Sequence, residues 1–388
     1  MMVYADNAAT SPMSDTAIKV LTECARDIWG NPSSLHTPGQ IAADALRQAR
    51  SIVAGCLHAS PEEIIFTSGG TEADNQALLT GAAVGEKKGR KHIISTVFEH
   101  HAILHPLKKL EQKGFEVTLL PVHENGIVRV EDLAAAIRPD TALVSVMFVN
   151  NEIGTIQPVR DLAALCREKG ILFHTDAVQA VGHIPIDVQE MQIDMLSLSG
   201  HKFHGPKGVG ALYVRKGIRI TPVLEGGGQE KNRRSGTENV PGILSMAAAL
   251  REMTENMSER EAYVLSLRNQ LLQGLSSIPA TRINGDLEQR IAGNLNIIFE
   301  GIEGESILLL LDEQGIAASS GSACTSSSLE PSHVLLSLGI PKEIAHGSVR
   351  FSLSRYNTEE DIRRIIDVVP GIAGRLRAMS PVWKERKA

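Results

Sequence analysis

Short apolar runs separated by longer amphipathic stretches fill the first two thirds of the chain. Glu63-Ile-Ile-Phe-Thr67, His92-Ile-Ile-Ser-Thr-Val97 and Glu116-Val-Thr-Leu-Leu120 are too short for helices, and their β-branched content predicts strands. Ala142-Leu-Val-Ser-Val-Met-Phe-Val149, Ile171-Leu-Phe-His-Thr-Asp176, Asp194-Met-Leu-Ser-Leu-Ser199 and Val209-Gly-Ala-Leu-Tyr-Val214 continue the series. Between them, residues 71–88, 101–113 and 159–169 place apolar side chains at helical spacing. Strand and helix in alternation predict an α/β fold with a mostly parallel sheet and helices on both faces. The strands are nearly continuous in apolar residues, as a sheet covered on both sides requires.

The pattern changes after Gly226-Gly-Gly228. Residues 241–275 read as one long helix. Fewer strands follow, at 295–299, 316–319 and 349–353, with helices at 305–313 and 358–373. This predicts a smaller α+β domain of residues 255–388 completed by the N-terminal residues 1–12, beside a large domain of residues 13–254. With 388 residues and 43% hydrophobic composition, the chain has ample material for two cores.

Charge and cysteine content narrow the class. A net charge of −6 argues against nucleic-acid binding. Four cysteines are too few for a disulfide framework, and their spacing matches no zinc ligand set, which favours a reducing compartment. The first residues lack the pattern of a signal peptide, and no apolar run approaches the ~18 residues of a membrane span. The expectation is a cytoplasmic protein with no membrane partner.

Candidate chemistry gathers at strand ends. Ser199-Gly-His-Lys202 puts a lysine just beyond a buried strand, where open α/β sheets bind ligands. There it serves either as an amine nucleophile or as a cation for phosphate or carboxylate. Asp176 closes a strand so apolar that its carboxylate needs a cation or donors. It either caps the next segment or faces a pyridinium nitrogen, with Gln179 close by for a ring hydroxyl. Thr67-Ser-Gly-Gly-Thr71 leads into a helix and suits an anion, without the lysine of a nucleotide P-loop. His100 follows another strand, placed to stack on a planar ring and move protons. His101 and His105 are four apart but lack a third ligand, so no metal is expected. Cys24, Cys56 and Cys166 lie in amphipathic stretches and read as core. Cys324 differs: residues 319–328 hold no large apolar side chain to bury it, a setting for a thiol that must move to react. A phosphate turn, a carboxylate, a histidine and a lysine on one sheet edge together describe a pocket for pyridoxal phosphate.

Eight segments extend this reading. They are Asp6-Asn-Ala-Ala-Thr10, Gly30-Asn-Pro-Ser-Ser34, Thr67-Ser-Gly-Gly-Thr-Glu72, Val149-Asn-Asn-Glu-Ile-Gly154, Asp176-Ala-Val-Gln179, Ser199-Gly-His-Lys202, Arg234-Ser-Gly-Thr237 and Gly321-Ser-Ala-Cys324. Along almost its whole length the chain closely resembles the cysteine desulfurases of the NifS/IscS type, class V pyridoxal-phosphate enzymes of fold type I. The Gly-Ser-Ala-Cys-Thr-Ser context is similar to the group with the longer cysteine loop. The resemblance implies pyridoxal 5'-phosphate bound covalently to Lys202, with His100 over the ring, Asp176 at its nitrogen and Gln179 at its hydroxyl. It implies phosphate binding by Gly70, Thr71, Ser199 and His201, with Thr237 supplied by the partner of a homodimer. Asn151 and Arg350 would hold the carboxylate of L-cysteine. Cys324 would take the sulfur as a persulfide, release L-alanine and pass the sulfur to an acceptor protein of iron–sulfur assembly or of tRNA or cofactor thiolation. The chain ends at Ser380-Pro-Val-Trp-Lys-Glu-Arg-Lys-Ala388, shorter than many relatives whose tails contact the iron–sulfur scaffold, which makes a dedicated thiolation acceptor the competing expectation.

Overall fold

The computed structural model describes residues 2–320, 331–381 and 383. In chain order the first elements are β1 (Val3–Tyr4), α1 (Asp15–Asp27), α2 (Thr37–Cys56), β2 (Ile64–Thr67), α3 (Gly70–Glu86) and β3 (His92–Thr96). Next come α4 (His101–Glu111), β4 (Glu116–Leu120), α5 (Val130–Ala136), β5 (Thr141–Ser145), α6 (Val159–Glu168), β6 (Leu172–Asp176), β7 (Met195–Ser199) and β8 (Gly210–Val214). The short turn α7 (Gln229–Asn232) precedes α8 (Val240–Thr254), α9 (Met257–Ser276), β9 (Thr281–Ile283), β10 (Asn294–Phe299) and α10 (Gly304–Glu313). The chain continues with β11 (Ile316–Ala317), α11 (His333–Ser337), α12 (Lys342–Ala345), β12 (Ser348–Ser352) and α13 (Glu359–Met379).

Seven strands form the large sheet in the order β2-β8-β7-β6-β5-β3-β4. Only β8 runs against its neighbours, so the sheet is mostly parallel, as the alternating pattern predicts. Adjacent residues alternate between its faces: Ile64, Ile94, Val144 and Leu196 join one apolar core, while Ile65, Ile93, Leu143 and Met195 join the other. Both faces are buried because helices cover each, with α3 and α4 on the second. Local chemistry fixes the helix starts. Ser14 Oγ accepts from the Ala17 amide at the head of α1, and Thr358 with Asp361 forms a reciprocal cap on α13.

A second core gathers Leu267, Leu271 and Leu275 of α9, Ile297 and Phe299 of β10, and Ile362, Ile365 and Val369 of α13. Val3 and Ala5 belong to it, because β1 pairs in parallel with β11 and Asp6 bridges to Ser352. Val334, Leu335 and Leu338, by contrast, pack into the core of the large sheet.

Three elements depart from the sequence pattern. The long helix expected over 241–275 is two helices, because Glu255 is extended and Asn256 takes a left-handed conformation (φ 53°) that asparagine tolerates. Apolar periodicity continues on both sides of this break, so the pattern conceals it. The strand expected to reach Val149 ends at Ser145, although the Val146 and Phe148 amides still bond to the carbonyls of His174 and Asp176. The strand expected over 316–319 covers only Ile316–Ala317, and Ser319 instead bridges to Arg350.

Candidate active site

The carboxyl ends of β2, β6 and β7 open onto a cleft of about 390 Å³, lined also by Ala8 and Ala9 of the N-terminal segment and by Arg350 of β12. This is the edge where an open α/β sheet leaves room for a ligand. At one end β2 turns through Gly69 into α3, and Gly70 and Thr71 line the cleft. Gly69 has φ 154° and ψ −176°, a conformation open in practice only to glycine. Amides in the first turn of a helix have no intrahelical acceptor, so this end presents donors and partial positive charge. Ser199 lies beside this turn, and His201 lines the same cleft. His201 Nδ1 lies 3.1 Å from Thr10 Oγ1. Burial, with the charges of Lys202 and Lys207, pushes its pKa down to about 4, so the ring is neutral.

Lys202 sits in the turn Gly200–Lys202 that directly follows β7. Its Nζ donates to the carbonyls of Ala8 (2.6 Å) and Ala9 (2.8 Å), so the N-terminal segment lies across the amine. Asp176, 5% exposed at the end of β6, accepts from the Val178 amide at 2.9 Å. Burial raises its pKa, and the nearby charges of His100 and Lys202 and the Val178 amide bond oppose that rise. Gln179 lines the cleft and donates Nε2 to the Ala8 carbonyl at 2.9 Å. His100 caps α4: its Nδ1 accepts from the Ala102 amide at 3.1 Å, which leaves Nε2 as the ring's donor nitrogen.

Arg350, on β12 and 3% exposed, closes the other end. Nη1 donates to the Asn151 carbonyl at 2.8 Å and Nη2 to Asp6 Oδ1 at 2.9 Å. Its buried Nε has no hydrogen-bond partner among the described residues. Asn151 lines the cleft beside it. Cys324 lies outside the described residues. The segments on either side of 321–330 are tied to the cleft, through the Ser319–Arg350 backbone pair and through the Ser332 hydroxyl, which donates to Glu152 Oε2 at 2.5 Å. Thr237 is exposed and does not line this chain's own cleft. Just before it, Arg234 makes a two-pronged ion pair with Glu72 in the first turn of α3.

Sequence reasoning missed several groups. Asp74 lines the cleft with its carboxyl buried, and burial, reinforced by the charge of Asp176, raises its pKa well above the carboxylate range. Glu99 is fully buried and pushed up to about 8 by desolvation, although Thr96 and the Met147 amide donate to it. Glu99 stands between Phe98 and His100, and an acid placed directly after the apolar pair Val97-Phe98 was the available signal. Nothing local marked Asp74 on α3 or the carbonyls of Ala8 and Ala9. His101 packs against His105 and His333, tilted and edge-on, at centroid distances of 4.9 and 5.0 Å, yet no three metal-ligating groups converge among the described residues.

The model of the class V aminotransferases matches residues 3–365. Cysteine desulfurase IscS of Methanosarcina thermophila is 53% identical over 98% of this chain and 94% of its own length. The chain belongs to the cysteine desulfurase family. Among solved structures, a NifS-like protein is 40% identical with a TM-score of 0.91, covering 97% of this chain and all of its own. SspA, solved in complex with cysteine, is 35% identical with a TM-score of 0.81 over 92% of this chain and all of its own. In a cysteine desulfurase of this fold, the strand-end cleft just described is the place to look for chemistry.

Proposed function

We propose that this chain removes sulfur from L-cysteine, releasing L-alanine and leaving a persulfide on Cys324 for transfer to an acceptor protein. The observation that carries this reading is the meeting of Lys202, Asp176, His100, Ser199, His201 and Arg350 around one cleft. The residues fit pyridoxal phosphate. Gly70, Thr71, Ser199 and His201 offer neutral donors for its phosphate, Asp176 is a buried carboxylate for its ring nitrogen, and Lys202 is the amine for its carbonyl. When bound, the group supplies an electron sink for the bond-breaking at the substrate's Cα.

This chain's own residues do the rest. Arg350 and Asn151 hold the substrate carboxylate, so the amino group points toward Lys202. Lys202 Nζ takes the proton from Cα and later returns one to the carbon skeleton. His100 Nε2, its tautomer set by the Ala102 amide, donates to the substrate side of the cleft. The Cys324 thiolate attacks the substrate sulfur: the S–S bond forms, the Cβ–S bond breaks with its pair left on carbon, and protonation yields alanine. SspA, a relative with cysteine bound, supports the choice of substrate. Thr237 is assigned to the phosphate of a partner subunit's cleft in a homodimer, its segment held by the Arg234–Glu72 pair. Acceptors in iron–sulfur assembly or in tRNA or cofactor thiolation both suit a protein persulfide. No helix among the described residues is long and apolar enough to cross a membrane, and a cytoplasmic location is part of the same proposal.

The test is mass spectrometry of the holoenzyme after brief exposure to L-cysteine, with amino-acid analysis of the product. A gain of one sulfur on the Cys324 peptide and free alanine are expected. Cys324→Ala should keep the cofactor absorbance and gain no sulfur. A keto acid in place of alanine, or full sulfide release by Cys324→Ala, refutes the proposal.

A further inference from the structure

Away from the cleft, α9 and the segment 287–292 border a groove of about 600 Å³ whose opposite wall is His183, Ile184 and Pro185. Two arginines line it, and both are buried: Arg268 is 4% exposed and Arg290 is 5% exposed. Arg268 makes no hydrogen bond or ion pair among the described residues, and its Nε and Nη1 are buried without a partner. Arg290 uses Nε on the Asp286 carbonyl (2.7 Å) and Nη2 on the Asn284 carbonyl, but its buried Nη1 is also unpartnered. A buried guanidinium with no counter-charge is costly, and native proteins seldom retain one without use for it.

Among the described residues no ion pair joins either arginine to the nearby acids. Glu261 lies 3.5 Å from His183 and 3.6 Å from Arg260. Asp286 accepts from the amides of Glu288 and Gln289, and Glu288 is exposed. Burial, with the charge of Arg268, pushes Arg290 down to about 10, and the charge of Asp286 opposes that fall only in part, so the two cations repel each other. Three unmade donor positions on two cations favour an anion rich in acceptors: a carboxylate offers two oxygens, whereas a phosphate group offers at least three and carries close to two negative charges at neutral pH.

We propose that Arg268 and Arg290 form a binding site for a phosphate group, separate from the cleft that holds Lys202. The groove is wide enough for the group to arrive either as inorganic phosphate or on a small monoester, with Leu265 and Ile291 against the ester's carbon part.

The experiment uses phosphate-free holoenzyme, so that the cofactor's own phosphate site is filled, and titrates it calorimetrically with inorganic phosphate and with glycerol phosphate. Chloride at matched ionic strength is the control. Arg268→Met is the chosen variant, because Arg290 also ties down its loop whereas Arg268 bonds to nothing there. Saturable phosphate binding, weakened about tenfold or more in Arg268→Met, is expected from the loss of charge-assisted bonds. Tighter binding of glycerol phosphate supports a monoester as the ligand, and equal or weaker binding supports free phosphate. No binding of either probe, or equal binding by the variant, overturns the site. Thermal unfolding gives a second reading. Without phosphate Arg268→Met should melt at or above the wild type, since an unpaired buried cation has been replaced by an apolar chain of similar length, and saturating phosphate should reverse the order. A variant less stable in phosphate-free buffer shows that the guanidinium is satisfied within the fold and refutes the premise. Arg268→Gln replaces the methionine variant if the latter yields no soluble holoenzyme.

Discussion

Replacing Arg350 by lysine tests the substrate end of the cleft most directly. Of the three guanidinium nitrogens, Nη1 is spent on the Asn151 carbonyl, Nη2 on Asp6, and the buried Nε has no partner among the described residues. A carboxylate approaching the Nε–Nη2 edge finds one unused donor and the second hydrogen of Nη2, a fork that lysine's single ammonium does not reproduce. Losing one charge-assisted hydrogen bond is worth about 1.5–3 kcal/mol, which corresponds to roughly 10- to 150-fold weaker cysteine binding. The lysine keeps the positive charge, so Asp6 is not left as an uncompensated partner. The assay is steady-state alanine release across cysteine concentrations, with spectral titration of the holoenzyme for direct binding. Arg350→Lys should raise KM and the binding constant by that factor and change kcat much less. A KM within about threefold of the wild type, with the loss confined to kcat, would show that Arg350 serves the strand and its bridge to Ser319 rather than the substrate.

Lys202→Ala should bind pyridoxal phosphate without the visible band of the lysine-linked form. After borohydride reduction the wild-type peptide containing residue 202 should carry the cofactor's mass, and a modified peptide elsewhere would contradict the assignment. Glu99→Gln should change how stability depends on pH. Burial raises the Glu99 pKa from its ordinary 4.5 to about 8, so the native state keeps a proton that the unfolded chain gives up above about pH 4.5. Relative to the glutamine variant, the wild type should therefore lose stability as pH rises, by about 3 kcal/mol between pH 5 and pH 8. Urea unfolding at the two pH values measures this, and a difference that does not change with pH would show that the carboxyl is ionised in the fold.

Much of this molecule was legible in its sequence because the relevant information is local. Nearly continuous apolar runs announced a sheet covered on both faces, and Ile64 and Ile65, or Ile93 and Ile94, do fall in separate cores on its two sides. A turn that directly follows a strand put Ser199, His201 and Lys202 at its carboxyl end, and the same holds for Asp176 after β6 and Gly70 after β2. Tertiary structure decided everything that depends on residues far apart in the chain. It alone reversed β8, broke the helix at Asn256, brought the Ala8 and Ala9 carbonyls onto Lys202, and joined Asp6 to Arg350 across 344 positions. It alone buried Glu99 and Asp74 enough to change their protonation, and left Arg268 without a partner among the described residues. Periodicity and turn chemistry report what each segment does with its own backbone and nearest water. Charge state and hydrogen-bond partnership depend on which distant groups displace that water, and that is settled only when the chain has closed on itself.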